Sequence, residues 1–243
     1  MRLDKFLVEM GFGSRTEVKQ LLKKKQVLVN GKIEISAKVQ IDENQDEISV
    51  NNRVLVYERF VYYLLNKPKG VISATEDDKH RTVLDLLDEN ARQKEVFPVG
   101  RLDIDTHGLL LLTNNGALAH AMLSPKKYVA KVYRAKVDGI ITEKDVEHFE
   151  AGIELKDFTC QPAKLTILEV NEEQQTSLVE IIISEGKFHQ VKKMFLAIGV
   201  KVIYLKRTHF GDFQLDPSLA EGDYRSLNQD ELKLIKNYLE LSR

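Results

Sequence analysis

Asp103 and Asp105 stand two residues apart in the stretch 98–116, PVGRLDIDTHGLLLLTNNG, just ahead of the unbroken apolar run 109–112. A charged Arg101-Leu102-Asp103 triplet at the margin of a buried segment needs a reason, because a carboxylate that loses hydration there is costly unless it is paired. On an extended segment the two carboxylates face the same side. That arrangement suits hydrolysis by a carboxylate pair or a metal site, although His107 and His120 are too loosely spaced to complete a ligand set. A second stretch, Lys131-Val132-Tyr133, lies in the alternating run 129–137, which sets Lys131 and Tyr133 on one side of a strand. An aromatic face beside a carboxylate can stack under a base drawn out of its helix. Such stacking is worth about 1–3 kcal/mol per base and offsets a flipping cost of a few kcal/mol. The third stretch is 185–194, EGKFHQVKKM. On a helical wheel over 188–198, Val191, Met194, Phe195 and Ile198 form one apolar stripe. Lys192 sits about 100° from Val191, at the border of that stripe, and Lys193 points away. Geometry alone sends Lys192 inward and Lys193 toward solvent or phosphate.

The elements that must position these residues follow from pattern. Residues 2–10 suit a short helix stopped near Gly11 and Gly13, and Ser14 with Glu17 forms a capping box for a second helix reaching about Lys24, with Val18, Leu21 and Leu22 inward. VLV-NG-KIEI reads as a hairpin on a type I′ turn at Asn30-Gly31. Residues 51–59 form a linker or last strand. FVYYLLN (60–66) is a strand before the loop Lys67-Pro68-Lys69-Gly70, Thr82 caps a helix over VLDLLDENARQ, and LVEIIIS (178–184) is a central strand. Residues 188–198 are helical up to Gly199, and a last helix starts near Asp230. Strands and helices do not alternate regularly, so the fold class expected is α+β, with a mixed, largely antiparallel sheet.

The stretch 98–116 closely resembles the active-site signature of the RsuA-type ribosomal RNA pseudouridine synthases. The resemblance covers essentially the whole chain and implies the pseudouridine synthase catalytic fold over 58–243. The N-terminal pattern, RLDKFL followed by SRTEVKQLLKKKQVLVNG and further strands, resembles the S-four-type RNA-binding domain and implies a small α/β RNA-binding domain over 1–57. In this family the catalytic residue falls at Asp103, the active-site tyrosine at Tyr133, and the basic partner of the aspartate at Lys192. The resemblance further implies that no cofactor and no metal is needed, since the isomerisation involves no redox change. Asn115 departs from the pattern, where an acidic residue is common; an effect on the local turn is expected there, not on chemistry. RNA contacts are expected from Arg2, Lys5, Arg15, Lys19, Lys23 and Lys24 in the N-terminal domain. In the catalytic domain they are expected from Lys67, Lys69, Arg101, Lys131, Lys187 and Lys193. His189 is not assigned as a general base.

Bulk properties are compatible with this. The net charge of −1 is polarised: residues 1–32 carry eight basic side chains against three acidic ones, and the tail from Gly211 is net acidic. Cys160 is the sole cysteine, which excludes an internal disulfide and a multi-cysteine zinc site. No apolar run approaches the ~20 residues of a membrane span, and the charged N-terminus does not read as a secretory signal. The expected protein is a cytoplasmic monomer that converts a uridine of 16S ribosomal RNA, free or in a small-subunit assembly intermediate, to pseudouridine. The alternatives are an enzyme of the same family acting on 23S ribosomal RNA, a non-catalytic RNA-binding or ribosome-assembly protein, and a hydrolase using Asp103 and Asp105 as partners.

Overall fold

A computed structural model describes residues 1–43, 45–55 and 59–240. The chain divides into two compact units, residues 1–60 and 61–243. The boundary expected at 57/58 lies outside the described residues.

The first unit begins with α1 (Leu3–Glu9) and α2 (Arg15–Lys23). Ser14 caps α2 as expected: its hydroxyl oxygen accepts from Glu17 N, and the Glu17 carboxylate accepts from Ser14 N. Strands β1 (Val27–Val29), β2 (Lys32–Ile33), β3 (Ile48–Val50) and β4 (Arg53–Leu55) form an antiparallel sheet in the order β2-β1-β3-β4. The β1–β2 turn takes positive φ at both Asn30 (50°) and Gly31 (74°), the type I′ geometry that Asn-Gly favours. Leu3, Phe6, Leu7, Val18, Leu22, Val27 and Ile48 close a core of their own. Arg15, Lys19 and Lys23 are four apart on α2 and exposed, so they share one stripe flanking the buried Val18 and Leu22.

The second unit is built on one sheet. Its elements in chain order are β5 (Tyr62–Lys67), α3 (Glu89–Arg92), β6 (Phe97–Pro98), β7 (His107–Thr113), α4 (Gly116–Leu123), β8 (Lys131–Asp138), α5 (Glu143–Ala151), β9 (Lys164–Asn171), β10 (Thr176–Ile183), α6 (Gln190–Ala197), β11 (Lys201–Phe210), β12 (Phe213–Gln214), β13 (Tyr224–Ser226) and α7 (Gln229–Glu240). The main path runs β13-β5-β7-β11-β8-β10-β9, with β6 paired to β7 and β12 to β11. Every pairing is antiparallel except β7 with β11. The expected α+β class with a largely antiparallel sheet therefore holds.

The unbroken run 109–112 is explained by cover on both faces. Leu110 and Leu112 belong to the core that also holds Val191, Met194 and Phe195 of α6, whereas Leu109 and Leu111 belong to the core that holds Leu118 and Met122 of α4 and Ile235 of α7. At Gly108 the chain needs glycine. Its φ is +102°, and a Cβ there would stand 2.2 Å from Arg207 O on the parallel neighbour.

Two expectations change. The helix over 83–93 is broken into a 3-10 turn at Val83–Leu86, capped by Thr82 and Asp85, and the short α3, capped separately by Asp88. Two good capping residues six apart terminate one another's helix. The third-motif helix starts at Gln190, not at 188, because His189 is its N-cap in the left-handed region at φ 53°.

Candidate active site

The 101–106 segment leaves no strand behind it until β7 begins, and it is not extended as expected. Thr106 N donates to Asp103 O at 3.0 Å, which closes a tight turn. Asp103 and Asp105 nevertheless converge, because one cation collects both. Lys192 Nζ lies 2.8 Å from Asp103 Oδ2 and 2.5 Å from Asp105 Oδ1. Burial by itself disfavours the charged form of Lys192, but the two carboxylates outweigh it and hold its pKa above the usual lysine value. Burial likewise pushes Asp105 upward, and the hydrogen bond and charge of Lys192 reverse that, leaving Asp105 below the usual range. Lys192 reaches inward from the border of the α6 stripe, as its wheel position dictates, while Val191, Met194 and Phe195 are buried.

What holds the turn is the loop before it, which grips main chain only. Lys67, at the end of β5, is fully buried, and its Nζ donates to Pro68 O (3.0 Å), Asp103 O (3.0 Å) and Thr106 O (2.9 Å). Burial lowers its pKa to about 8, against the opposing pull of Asp103 and Asp105. Gly70 N donates to Ile104 O at 2.7 Å. The Ser73 hydroxyl donates to Leu102 O and accepts from Leu102 N, both at 3.0 Å. The expectation that Lys67 contacts RNA is thus corrected: its three donors are spent on carbonyls under the turn and it meets no solvent. A lysine closing an apolar strand is the sequence signal for this buried role. Lys69, by contrast, is exposed.

Asp103, Tyr133 and Lys192 line one pocket together with Arg101, His189 and Leu205. Tyr133 is 8% exposed, with its ring in the core that also holds Val191 and Ile183. His189 Nε2 stands 3.6 Å from Asp103 Oδ1. The sequence pattern did not foretell this contact, because it depends on the left-handed backbone that swings the imidazole back over the turn. Phe188, 69% exposed, stacks on His189 at 3.8 Å between ring centroids, with Lys193 Nζ 5.5 Å from the Phe188 centroid. Of the remaining expected cations, Arg101 and Lys187 are exposed at the pocket wall, while Lys131 is half-buried in an adjoining cleft. Lys187 also pairs with Glu185 at 3.1 Å and sits over Phe158. In the first unit, Arg2 pairs with the buried Asp4 and Lys5 with Glu9, which leaves Arg15, Lys19, Lys23 and Lys24 as the more available charges. Among the described residues no three His, Cys, Asp or Glu side chains are grouped as a ligand set, and no helix is long and apolar enough to cross a membrane.

Residues 61–197, which contain this turn, its lysine and its tyrosine, match the family model for RNA pseudouridylate synthase. The chain belongs to that family. Residues 1–46 match the S4 domain. An RNA pseudouridine synthase of Bacillus subtilis, described as uncharacterised, is 44% identical over 97% of this chain and 98% of its own length. The ribosomal large subunit pseudouridine synthase B of the same organism is 41% identical over 97% of this chain and 95% of its own. The ribosomal small subunit pseudouridine synthase A of Yersinia pestis is 38% identical, covering 96% of this chain and 97% of its own length. The fold is shared with a pseudouridylate synthase crystal structure at TM-score 0.67 and 36% identity, over 97% of this chain and 99% of that one. The chain is therefore an RNA pseudouridine synthase with an N-terminal S4 RNA-binding domain.

Proposed function

We propose that this synthase isomerises a specific uridine of 16S ribosomal RNA, with Asp103 as the catalytic carboxylate. The observation carrying the role of Asp103 is Lys192 placed 2.8 Å from it in a pocket that Tyr133 also lines. The reaction breaks the bond from ribose C1′ to uracil N1, turns the base and forms a C1′–C5 bond; the C5 proton leaves and N1 gains one. Asp103 acts beside the sugar, Lys192 holds its carboxylate in one rotamer, and Tyr133 stacks on the base. Arg101, Lys69, Lys187 and Lys193 contact backbone phosphates, and the S4 domain supplies the main electrostatic anchor through α2. No cofactor enters this scheme, and the enzyme acts as a cytoplasmic monomer.

A 23S target is the second reading, and a specific observation favours it: the large-subunit relative, at 41% identity, is more similar than the small-subunit one, at 38%. One experiment addresses both. Ribosomal RNA carrying tritium at uracil C5 is incubated with the wild type and with Asp103→Asn, as free 16S RNA, as small-subunit particle and as 23S RNA. Tritium release from 16S RNA by the wild type alone is expected. Release from 23S RNA only would move the target to the large subunit, and release by Asp103→Asn would remove the carboxylate from its role.

A further inference from the structure

A second cleft, of about 520 Å³, adjoins the catalytic pocket and shares Arg101, Tyr133, Gly186 and Lys187 with it. Its volume is in the range of pockets that enclose a small ligand, about 300–1,000 Å³. Its lining includes two cations that the fold leaves without a counter-charge. Arg207, on β11, is 2% exposed. Its Nε donates to Leu109 O at 2.9 Å, and its guanidinium carbon stands 4.8 Å from the Phe210 centroid. Its Nη2 is buried and has no hydrogen-bond partner. Lys131 Nζ donates to Val129 O at 2.7 Å and stands 5.5 Å from the same ring. Among the described residues no carboxylate pairs with either cation. Glu185, the acid in the cleft wall, is already committed to Gln161 N, Gln190 Nε2 and Lys187 Nζ.

A buried guanidinium without a counter-charge is costly unless something offsets it. Its planar fork matches phosphate oxygens. The neighbouring ammonium is disfavoured by burial and then by Arg207 itself, which brings Lys131 to about 8. An arriving anion would relieve both. We propose that this cleft is a phosphodiester site, in which Arg207 and Lys131 hold a backbone phosphate of the RNA strand next to the uridine seated at Asp103. The proposal rests on the reading of the catalytic pocket given above. It adds Arg207 to the contact already expected of Lys131 and makes the two a desolvated anion site.

The test measures binding of a short oligouridylate to the full-length protein across a salt series. Lys131→Met, Lys131→Arg and Arg207→Lys are compared with the wild type, each checked for cooperative thermal unfolding. Lys131→Met is expected to weaken binding and to lower the salt slope by about one, the signature of a lost phosphate contact; Lys131→Arg restores both. A Lys131→Met slope equal to the wild-type slope overturns the site. A second arm uses the same oligomer with neutral methylphosphonate linkages. The Lys131→Met loss is expected to vanish there, and an equal loss on both oligomers would assign Lys131 to sugar or base, against the proposal. Arg207→Lys, which keeps the cation but loses the fork, is expected to bind more weakly than wild type; unaltered affinity in a folded variant also counts against it. Neither arm reads turnover, so failure here and failure of tritium release are separate results.

Discussion

Lys192 meets two carboxylates, and they are not equivalent. Asp103 has its main chain tied down by Lys67, His189 beside its second oxygen, and a side chain 27% exposed; Asp105 is 52% exposed and is met by Lys192 from one side. Asp103→Asn should therefore abolish tritium release, whereas Asp105→Asn should cost no more than about 1.4 kcal/mol of barrier, tenfold in kcat. Equal damage at both positions would make Asp105 a second carboxylate that the isomerisation needs. Lys192→Met should cripple turnover while leaving RNA affinity near wild type; parallel loss of binding would make Lys192 a phosphate contact. Lys67 gives a prediction of another kind. Replacing it by Met takes the ammonium from Pro68 O and Thr106 O, and leaves Asp103 O with Thr106 N alone, at about 1–3 kcal/mol for each group left unsatisfied, so a marked fall in denaturation midpoint should accompany a fall in kcat. Lys67 also sets a pH dependence. Its folded value of about 8 lies below the ordinary 10.5, so the unfolded chain binds more protons between those values. Its contribution to stability therefore rises with pH from about 8 toward 10, and a pH series of urea melts should lose part of that rise in Lys67→Met.

At the level of elements, β7 and its neighbours decide where the site can be. Gly108 allows β11 to approach in the parallel sense, and Gly108→Val would drive side-chain atoms into Arg207 O. A loss of several kcal/mol is expected, read as a lower melting temperature. Asn115 caps α4 by accepting from Ala117 N and Leu118 N, and its Nδ2 donates to the Tyr62 hydroxyl. Asn115→Ala should cost about 1 kcal/mol of stability with kcat little altered, a result that would place this departure from the family pattern in the turn and not in the chemistry. Much at this scale was legible beforehand. The Ser14 box, the Asn30-Gly31 hairpin and the inward turn of Lys192 are local consequences of spacing. The turn at 103–106, the break in the 83–93 helix and the left-handed His189 were not. Each depends on partners far along the chain or on competing caps, and a periodic pattern carries neither.

For the molecule as a whole, two units divide the labour. Residues 1–60 close around Leu3, Phe6 and Leu22, and the catalytic unit around both faces of its sheet. Removing 1–60 should leave a folded catalytic unit that binds RNA more weakly and with a flatter salt dependence, because the Arg15–Lys19–Lys23 face is lost. An unchanged slope would deny that face its anchoring part. The near-neutral total charge hid this polarity; only the segment-by-segment distribution pointed to it.

The grip on the catalytic turn has one more consequence. Lys67, Gly70 and Ser73 hold residues 102–106 through carbonyls and amides alone, and the Ile104 side chain projects outward, 41% exposed, beside the exposed Arg101. A scaffold that reads only main chain is indifferent to what those outward side chains are. Positions 101 and 104 can be exchanged to suit a different RNA surface while the carboxylate between them stays where it is, so the same turn can be re-addressed to a new target without being rebuilt.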